Sequence, residues 1–330
     1  MNRFMLTMMQ SDANHAGSKA VRDISEILSK MDFLNIYIDG QQSRLEREIF
    51  TKSNLSRKLQ DLPRESYFLV QYPFYLGTRV TAQVIDEITS KFDNTIVLIH
   101  DLPTLRENAS KKLVKREISN LNKFKFVVTH NTRMSGWLKD NGCTSKILEL
   151  GLFDYMTNSS LNVKKNNNYK RIFFAGNLGK SKFIYNKAVN NNYYLYGINR
   201  IDGQGDFNYL GVRSPEKLLI DLACENGFGL VWDGDSVNES DAYTRYNNPH
   251  KASLYLASGM PLIVWNKSAL SELVDRTKIG ISVGSIEEAN KVISNITQLE
   301  YDNYKANVNK FQNRVTNGGF TESVILKILD

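Results

Sequence analysis

Short apolar runs alternate with longer amphipathic ones along the first half of the chain, the βα alternation that predicts a parallel sheet covered by helices. "RFMLTMM" reads as the first strand, and "GSKAVRDISEILSKM" follows at helical spacing with Val21, Ile24, Ile27 and Leu28 on one face. The pattern then predicts strand "NIYID", helix "SNLSRKLQDL", strand "SYFLVQYP" and helix "TAQVIDEITSKF". "NTIVLIHD" is apolar throughout, as expected of a central strand buried on both faces. Helix "NASKKLVKREISNLNKF", strand "KFVVTHN", helix "TRMSGWLKDNG" and strand "KILELGLFDY" complete the half.

"MTNSSLNVKKNNNYK", residues 156–170, is polar, Asn-rich and without apolar periodicity, so a linker is expected there. The alternation restarts with "RIFFAGN" as a strand, "KSKFIYNKAV" as a helix and "YYLYGI" as a strand. It continues through helix "SPEKLLIDLAC", strand "GFGLVW", helix "PHKASLYLASG" and strand "PLIVW", and on to "ALSELVDRT", "GISV" and "SIEEANKVISNI". Two final helices, "YDNYKANVNKFQNRV" and "TESVILKILD", end the chain. The expected fold class is α/β: two doubly wound Rossmann-like domains facing a cleft, residues 1–155 and 171–312, with the terminal helix 313–330 packing back toward the first.

Composition narrows the function classes. A chain of 330 residues with 42% hydrophobic and 23% charged positions is globular. Its net charge of +7 is spread through "LSRKLQ", "SKKLVKREISNLNKFK" and "VKKNNNYKR" rather than gathered into a patch, which argues against a nucleic-acid footprint. Cys143 and Cys224 stand alone, so neither a disulfide framework nor a zinc site is expected. The apolar start is broken at Gln10, Ser11 and Asp12, and no run reaches the roughly 18 apolar residues of a membrane span. A cytoplasmic protein is expected.

Candidate chemistry gathers where strands run into helices. In "NNPHKASLYLASGMPLIVW" a proline, His250 and Lys251 occupy the first turn of a helix. A lysine there opposes the helix dipole unless an anion takes up both the unpaired N–H groups and the ammonium; the alternative is an exposed lysine at a helix start. "FFAGNLGKSK" ends a strand on Gly176 and Asn177, with a helix expected to begin near Lys180. It is either a second phosphate-facing turn or an ordinary βα turn. In "SDANHAGSKA" Asp12, Gly17, Ser18 and Lys19 precede the first helix, where Ser18 also reads as an N-cap. "IHDLPTLREN" places His100 and Asp101 at a strand's carboxyl end, Asp101 being either a base or an N-cap before a helix-opening proline. None of His15, His100, His130 and His250 stands four residues from another, so no metal is expected. Tyr194 and Tyr196 either flank a base or pack the sheet.

In order and spacing, "FFAGN", "GVRSPEKLL", "GFGLVW" and "NNPHKASLYLASGMPLIVW" resemble the nucleotide-sugar half of GT-B glycosyltransferases. With "AGSKAVRDI", "LIHDLPTLR" and "ELGLFDY" added, the chain more closely resembles the glucosyltransferase 3 family of serine-rich repeat adhesin glycosylation. The resemblance implies transfer of glucose from a UDP-sugar donor to N-acetylglucosamine O-linked to Ser or Thr of the adhesin, by a homo-oligomer without cofactor or metal. It implies an acceptor-binding first domain, with Asp12, Gly17, Ser18 and Lys19 in its cleft loop, and a donor-binding second domain. It also implies that Lys251 and Lys180 hold the pyrophosphate beside His250, Gly176 and Asn177, and that Val212 and Arg213 border the uracil. The two glutamates of many retaining GT-B enzymes are replaced by Tyr246 and Leu254, which favours inversion with a base from the first domain: Asp101, then His100 or Asp12. Other readings are a galactofuranosyltransferase or other UDP-hexose transferase, and a non-catalytic GT-B-like subunit that binds glycoprotein.

Overall fold

A computed structural model of the protein describes residues 1–9, 16–39, 43–159, 161, 167–233 and 243–330. These form two compact units, one of Met1–Ala13, Val21–Gly151 and Thr321–Asp330, the other of Asn14–Ala20 and Leu152–Phe320.

The first unit is built from β1 (Arg3–Met9), α1 (Ala16–Lys30), β2 (Phe33–Asp39), α2 (Arg44–Leu59), β3 (Tyr67–Tyr72) and α3 (Thr78–Lys91). There follow β4 (Asn94–Ile99), α4 (Pro103–Arg106), α5 (Lys111–Leu121), β5 (Phe126–Thr129), α6 (Thr132–Asp140) and β6 (Lys146–Glu149). Its six strands lie in the order β2-β1-β3-β4-β5-β6, all parallel. Every residue of β4 is buried, as its unbroken apolar run requires of a strand covered on both faces. α3 turns Val80, Val84, Ile85 and Ile88 inward at helical spacing. The predicted helix 53–62 begins earlier, at Arg44, because Ser43 and Glu46 form a reciprocal capping box. The predicted strand 146–155 stops at Glu149.

The second unit contains β7 (Ile172–Asn177), β8 (Tyr193–Ile198), β9 (Asn208–Gly211), α7 (Pro215–Ala223), β10 (Phe228–Val231) and α8 (His250–Ala257). It continues with β11 (Leu262–Trp265), α9 (Ala269–Thr277), β12 (Gly280–Val283), α10 (Ile286–Asn295), α11 (Gln298–Thr316) and α12 (Gly319–Leu329), the last running into the first unit from Thr321. There Tyr67 donates a hydrogen bond to the Ile328 carbonyl at 3.4 Å. The strand order β12-β11-β10-β7-β8-β9, again all parallel, reverses direction between β7 and β10. In such sheets ligands settle at the carboxyl ends beside that reversal.

Two features of this unit depart from the sequence pattern. The predicted helix 180–189 is only a 3-10 turn, Lys182–Tyr185, with Phe183 and Ile184 driven into the core. The edge strand β9 lies outside the predicted pattern, because "NYLG" is too short and mixed to register as a strand by period. Tyr194 stacks on Phe173 with centroids 5.3 Å apart and Tyr196 is 5% exposed, so both tyrosines pack the sheet.

Candidate functional site at the carboxyl edge of the second sheet

α8 is the helix that follows β10 and enters the edge of the sheet where the strand order reverses. Pro249 is its N-cap rather than a residue of its first turn, and it offers no side-chain cap. The Ala252 amide donates to the Pro249 carbonyl at 2.9 Å, while no side chain caps the amides of His250 and Lys251, which is the condition for an anion at a helix N-terminus.

Lys251 lies in that turn. Its Nζ stands 3.9 Å from the centroid of the Phe174 ring and makes no hydrogen bond or ion pair among the described residues. A Cβ built on Gly176 would lie 3.4 Å from the same Nζ, so the ammonium sits against the end of β7 where a side chain would crowd it. Burial lowers the lysine to about 8, and the carboxylate of Asp233 partly offsets that shift. A cation set on an aromatic face, with no hydrogen bond or ion pair among the described residues, is an incomplete electrostatic site.

The helix is fixed by a residue one turn further on. Tyr255, on the same face as Lys251, accepts a hydrogen bond from the Ala175 amide at 2.9 Å. Its ring fills the space that a side chain at position 229 would need, since a Cβ there would come within 2.1 Å of it. The spacing of four between Lys251 and Tyr255 was the available signal in the sequence, but an aromatic in a helix gives no hint that its hydroxyl binds a strand amide.

The turn after β7 is closed by Asn177, whose Oδ1 accepts from the Gly179 amide at 3.1 Å, the Lys180 amide at 3.3 Å and Asn199 Nδ2 at 3.2 Å. Close approach is possible because the neighbouring strand carries Gly197 at φ 152°, where any Cβ would fall 1.8 Å from the Gly176 carbonyl oxygen. Lys180 is exposed in this turn and follows no regular helix start. Val212 is 56% exposed, and Arg213 is held by Asp221 at 2.8 Å and lies over the Tyr196 ring.

His250 donates through Nε2 to the Asp154 carbonyl at 3.2 Å and stacks on Tyr155 with centroids 5.0 Å apart. Burial lowers it to about 4, so it is a neutral ring at physiological pH. Lys19 joins the same cluster, its Nζ bonded to the Met156 carbonyl at 2.9 Å and 4.4 Å from the Tyr155 centroid. Thus Lys19, Tyr155 and His250 are brought together, while Ser18 lies inside α1 rather than at its cap. Gly17 falls in the same first turn, and Asp12 and His15 lie outside the described residues.

In the first unit, His100 and Asp101 stand at the carboxyl end of β4. His100 Nε2 lies 2.7 Å from Gln71 Oε1, and Gln71 Nε2 in turn donates to Ser25 Oγ at 2.9 Å. Asp101 does not cap α4, whose N-cap is Leu102; its carboxylate pairs with Arg106 at 2.8 Å. Beneath them Glu117 is 5% exposed and bonded to Tyr72 and Thr104, and burial raises its carboxyl.

The chain matches the family model of the glucosyltransferase 3-like N-terminal domain over residues 2–152 and that of the glucosyltransferase 3-like C-terminal domain over residues 172–328. It is 27% identical over 342 aligned positions to the β-1,6-galactofuranosyltransferase WbbI of Escherichia coli, covering 99% of this chain and 98% of that one. Glucosyltransferase 3 of Streptococcus gordonii is 26% identical over 301 positions, covering 89% and 86%. Among solved structures, the Anabaena protein HepE in complex with UDP superposes with a TM-score of 0.66 at 11% identity, over 99% of each chain.

Proposed function

Because the chain belongs to the glucosyltransferase 3-like family of GT-B glycosyltransferases, we propose that it transfers glucose from UDP-glucose to N-acetylglucosamine O-linked to Ser or Thr of a serine-rich protein. The observation that carries the donor reading is the ammonium of Lys251, set on the Phe174 ring at the sheet's carboxyl edge with no hydrogen bond or ion pair among the described residues. A diphosphate would supply both the counter-charge and the acceptors for the uncapped amides of α8. UDP in the Anabaena neighbour and the name of the Streptococcus relative support uridine and glucose.

The proposed step is an in-line displacement. The acceptor hydroxyl forms a bond to the anomeric carbon as the bond to the β-phosphate oxygen breaks, and UDP leaves with the electron pair. Lys251 and the helix amides stabilise the charge growing on the leaving diphosphate. The hydroxyl proton passes to the imidazole of His100, which is bonded to Gln71 at 2.7 Å. Asp101 is the second choice, since Arg106 already draws on its carboxylate.

A galactofuranosyl donor is the second reading. The Escherichia coli relative favours it, matching 99% of the chain where the Streptococcus gordonii relative matches 89%. Separate incubations with UDP-glucose, UDP-galactofuranose and other UDP-hexoses, each with a GlcNAc-bearing peptide, test both readings by mass spectrometry. A hexose added from UDP-glucose with release of UDP is expected. Addition from UDP-galactofuranose alone would replace the first reading with the second, and addition from none would overturn both.

A further inference from the structure

Helix α5 opens on four cations, and the fold leaves them without counter-charge. Lys111, Lys112, Lys115 and Arg116 are all exposed, and at about 3.6 residues per turn they fall within less than half of the helix circumference, away from buried Ile118 and Leu121. None of the four makes a hydrogen bond or ion pair among the described residues, whereas Lys30, Lys123 and Lys217 are each neutralised by a carboxylate. The one acid of the helix, Glu117, is turned inward and bonded to Tyr72 and Thr104. Residues 106–146 together carry ten lysines and arginines against three acids, an excess as large as the +7 of the whole chain, so the charge is less even than the separate basic runs imply.

This arrangement works against the helix itself. The first turn holds no acid and Ser110 gives no side-chain cap, so the cations meet the positive end of the dipole unrelieved. Lys111 and Lys115, and likewise Lys112 and Arg116, stand four apart, a spacing at which like charges destabilise a helix. Beside a plane of anions both penalties become gains. The face is the convex outer side of a helix, so it offers no groove for a peptide, and no exposed aromatic side chain stands on it to stack a base. Fluid lipid head groups rearrange to meet such a face, and Leu113, 44% exposed beside the cations, supplies an apolar foot for the layer beneath. We propose that the exposed face of α5 docks the protein on a membrane surface rich in anionic phospholipid, with Lys111, Lys112, Lys115 and Arg116 meeting the head-group phosphates. The contact is peripheral, since no helix of the described residues is long and apolar enough to cross a membrane.

Co-sedimentation of the full-length protein with vesicles tests this. Wild type is expected to bind vesicles of phosphatidylcholine and phosphatidylglycerol in equal amounts, to ignore pure phosphatidylcholine, and to be released at about 1 M salt, where the Debye length is only about 3 Å. The double variant Lys111→Glu, Lys112→Glu cancels the charge of the face. Each cation near an anionic surface contributes about fivefold, so affinity for the mixed vesicles should fall by at least about 100-fold. Its Tm should hold or rise, because acids now match the dipole and stand four residues before Lys115 and Arg116. The double variant Lys111→Arg, Lys112→Arg should bind as wild type does, since charge and not side-chain identity is read. Equal binding to both kinds of vesicle, or undiminished binding by the glutamate variant, would overturn the proposal. Capture by an RNA or DNA duplex but not by the mixed vesicles would assign the face to a nucleic acid and overturn it as well.

Discussion

Strand β7 carries a cation near each end, and the two are treated in opposite ways. At the amino end Arg171 is 5% exposed and saturated: its guanidinium pairs with Glu225, donates to the Asn168 carbonyl at 3.1 Å, and lies over the rings of Phe173 and Tyr194. At the carboxyl end Lys251 also lies over an aromatic ring, that of Phe174, but nothing described completes its hydrogen bonding. Both are cations packed on aromatic rings beside the same strand, Arg171 buried and Lys251 half-buried, and exposure is not what decides their roles. What does is whether the protein itself supplies the acceptors. A cation whose partners are internal holds the fold together; one whose partners are missing, at an uncapped helix end, waits for an anion.

The largest effect should come from the saturated end. Arg171→Met leaves the Glu225 carboxylate, with its side chain 25% exposed, without its partner, and urea unfolding is expected to show a loss of about 3 kcal/mol. UDP affinity in the protein that remains folded should be unchanged. Lys251→Ala should behave in reverse. Calorimetry is expected to show UDP affinity lower by about 100-fold, the scale of losing two charge-assisted hydrogen bonds, while stability does not fall. If both substitutions lost stability and neither lost UDP, the two cations would be equivalent and the comparison would break.

A smaller effect sharpens the comparison by moving Lys251 rather than removing it. Gly229→Ala forces a Cβ to within 2.1 Å of the Tyr255 ring, so α8 must shift against β7. A stability loss of about 1–3 kcal/mol is expected from overpacking, together with weaker UDP binding; a variant that lost stability but kept full UDP affinity would show that the seat of Lys251 is not set by Tyr255.

Proton linkage gives a graded test. Lys251 is lowered from 10.5 to about 8 by burial, so the ligand-free protein sheds this proton above pH 8. UDP affinity is expected to hold below that pH and to fall by about tenfold per unit above it, with Lys251→Arg removing the dependence. The stability contribution runs the other way. Between about 8 and 10.5 the unfolded chain holds the proton more tightly than the native one, so this group's contribution to ligand-free stability rises with pH. The smallest expected effects are in the first unit: His100→Ala should lower kcat with UDP affinity unchanged, whereas Asp101→Asn should lower it less.

The fold was legible where apolar period was strong. Strand β4, apolar at Ile96, Val97, Leu98 and Ile99, and helix α3 emerged as the pattern predicts. Reading failed where a short segment is held by tertiary packing rather than by period. The stretch 180–189 has helical composition, yet burial of Phe183 and Ile184 limits it to one 3-10 turn. At the site, the position of Lys251 could be read from a helix start that mismatches its own dipole. Its partners could not, because Phe174 and Tyr255 reach it through strand pairing and packing across the sheet.

The most direct measurement is the proton balance of UDP binding at pH 8.5, taken by calorimetry in two buffers of different ionisation enthalpy. If Lys251 receives the diphosphate, wild-type protein takes up a proton fraction on binding UDP, because burial has lowered this ammonium toward that pH and the diphosphate raises it again, and Lys251→Arg takes up none. UDP binding with no proton uptake in wild type, or with the same uptake in Lys251→Arg, would contradict the account.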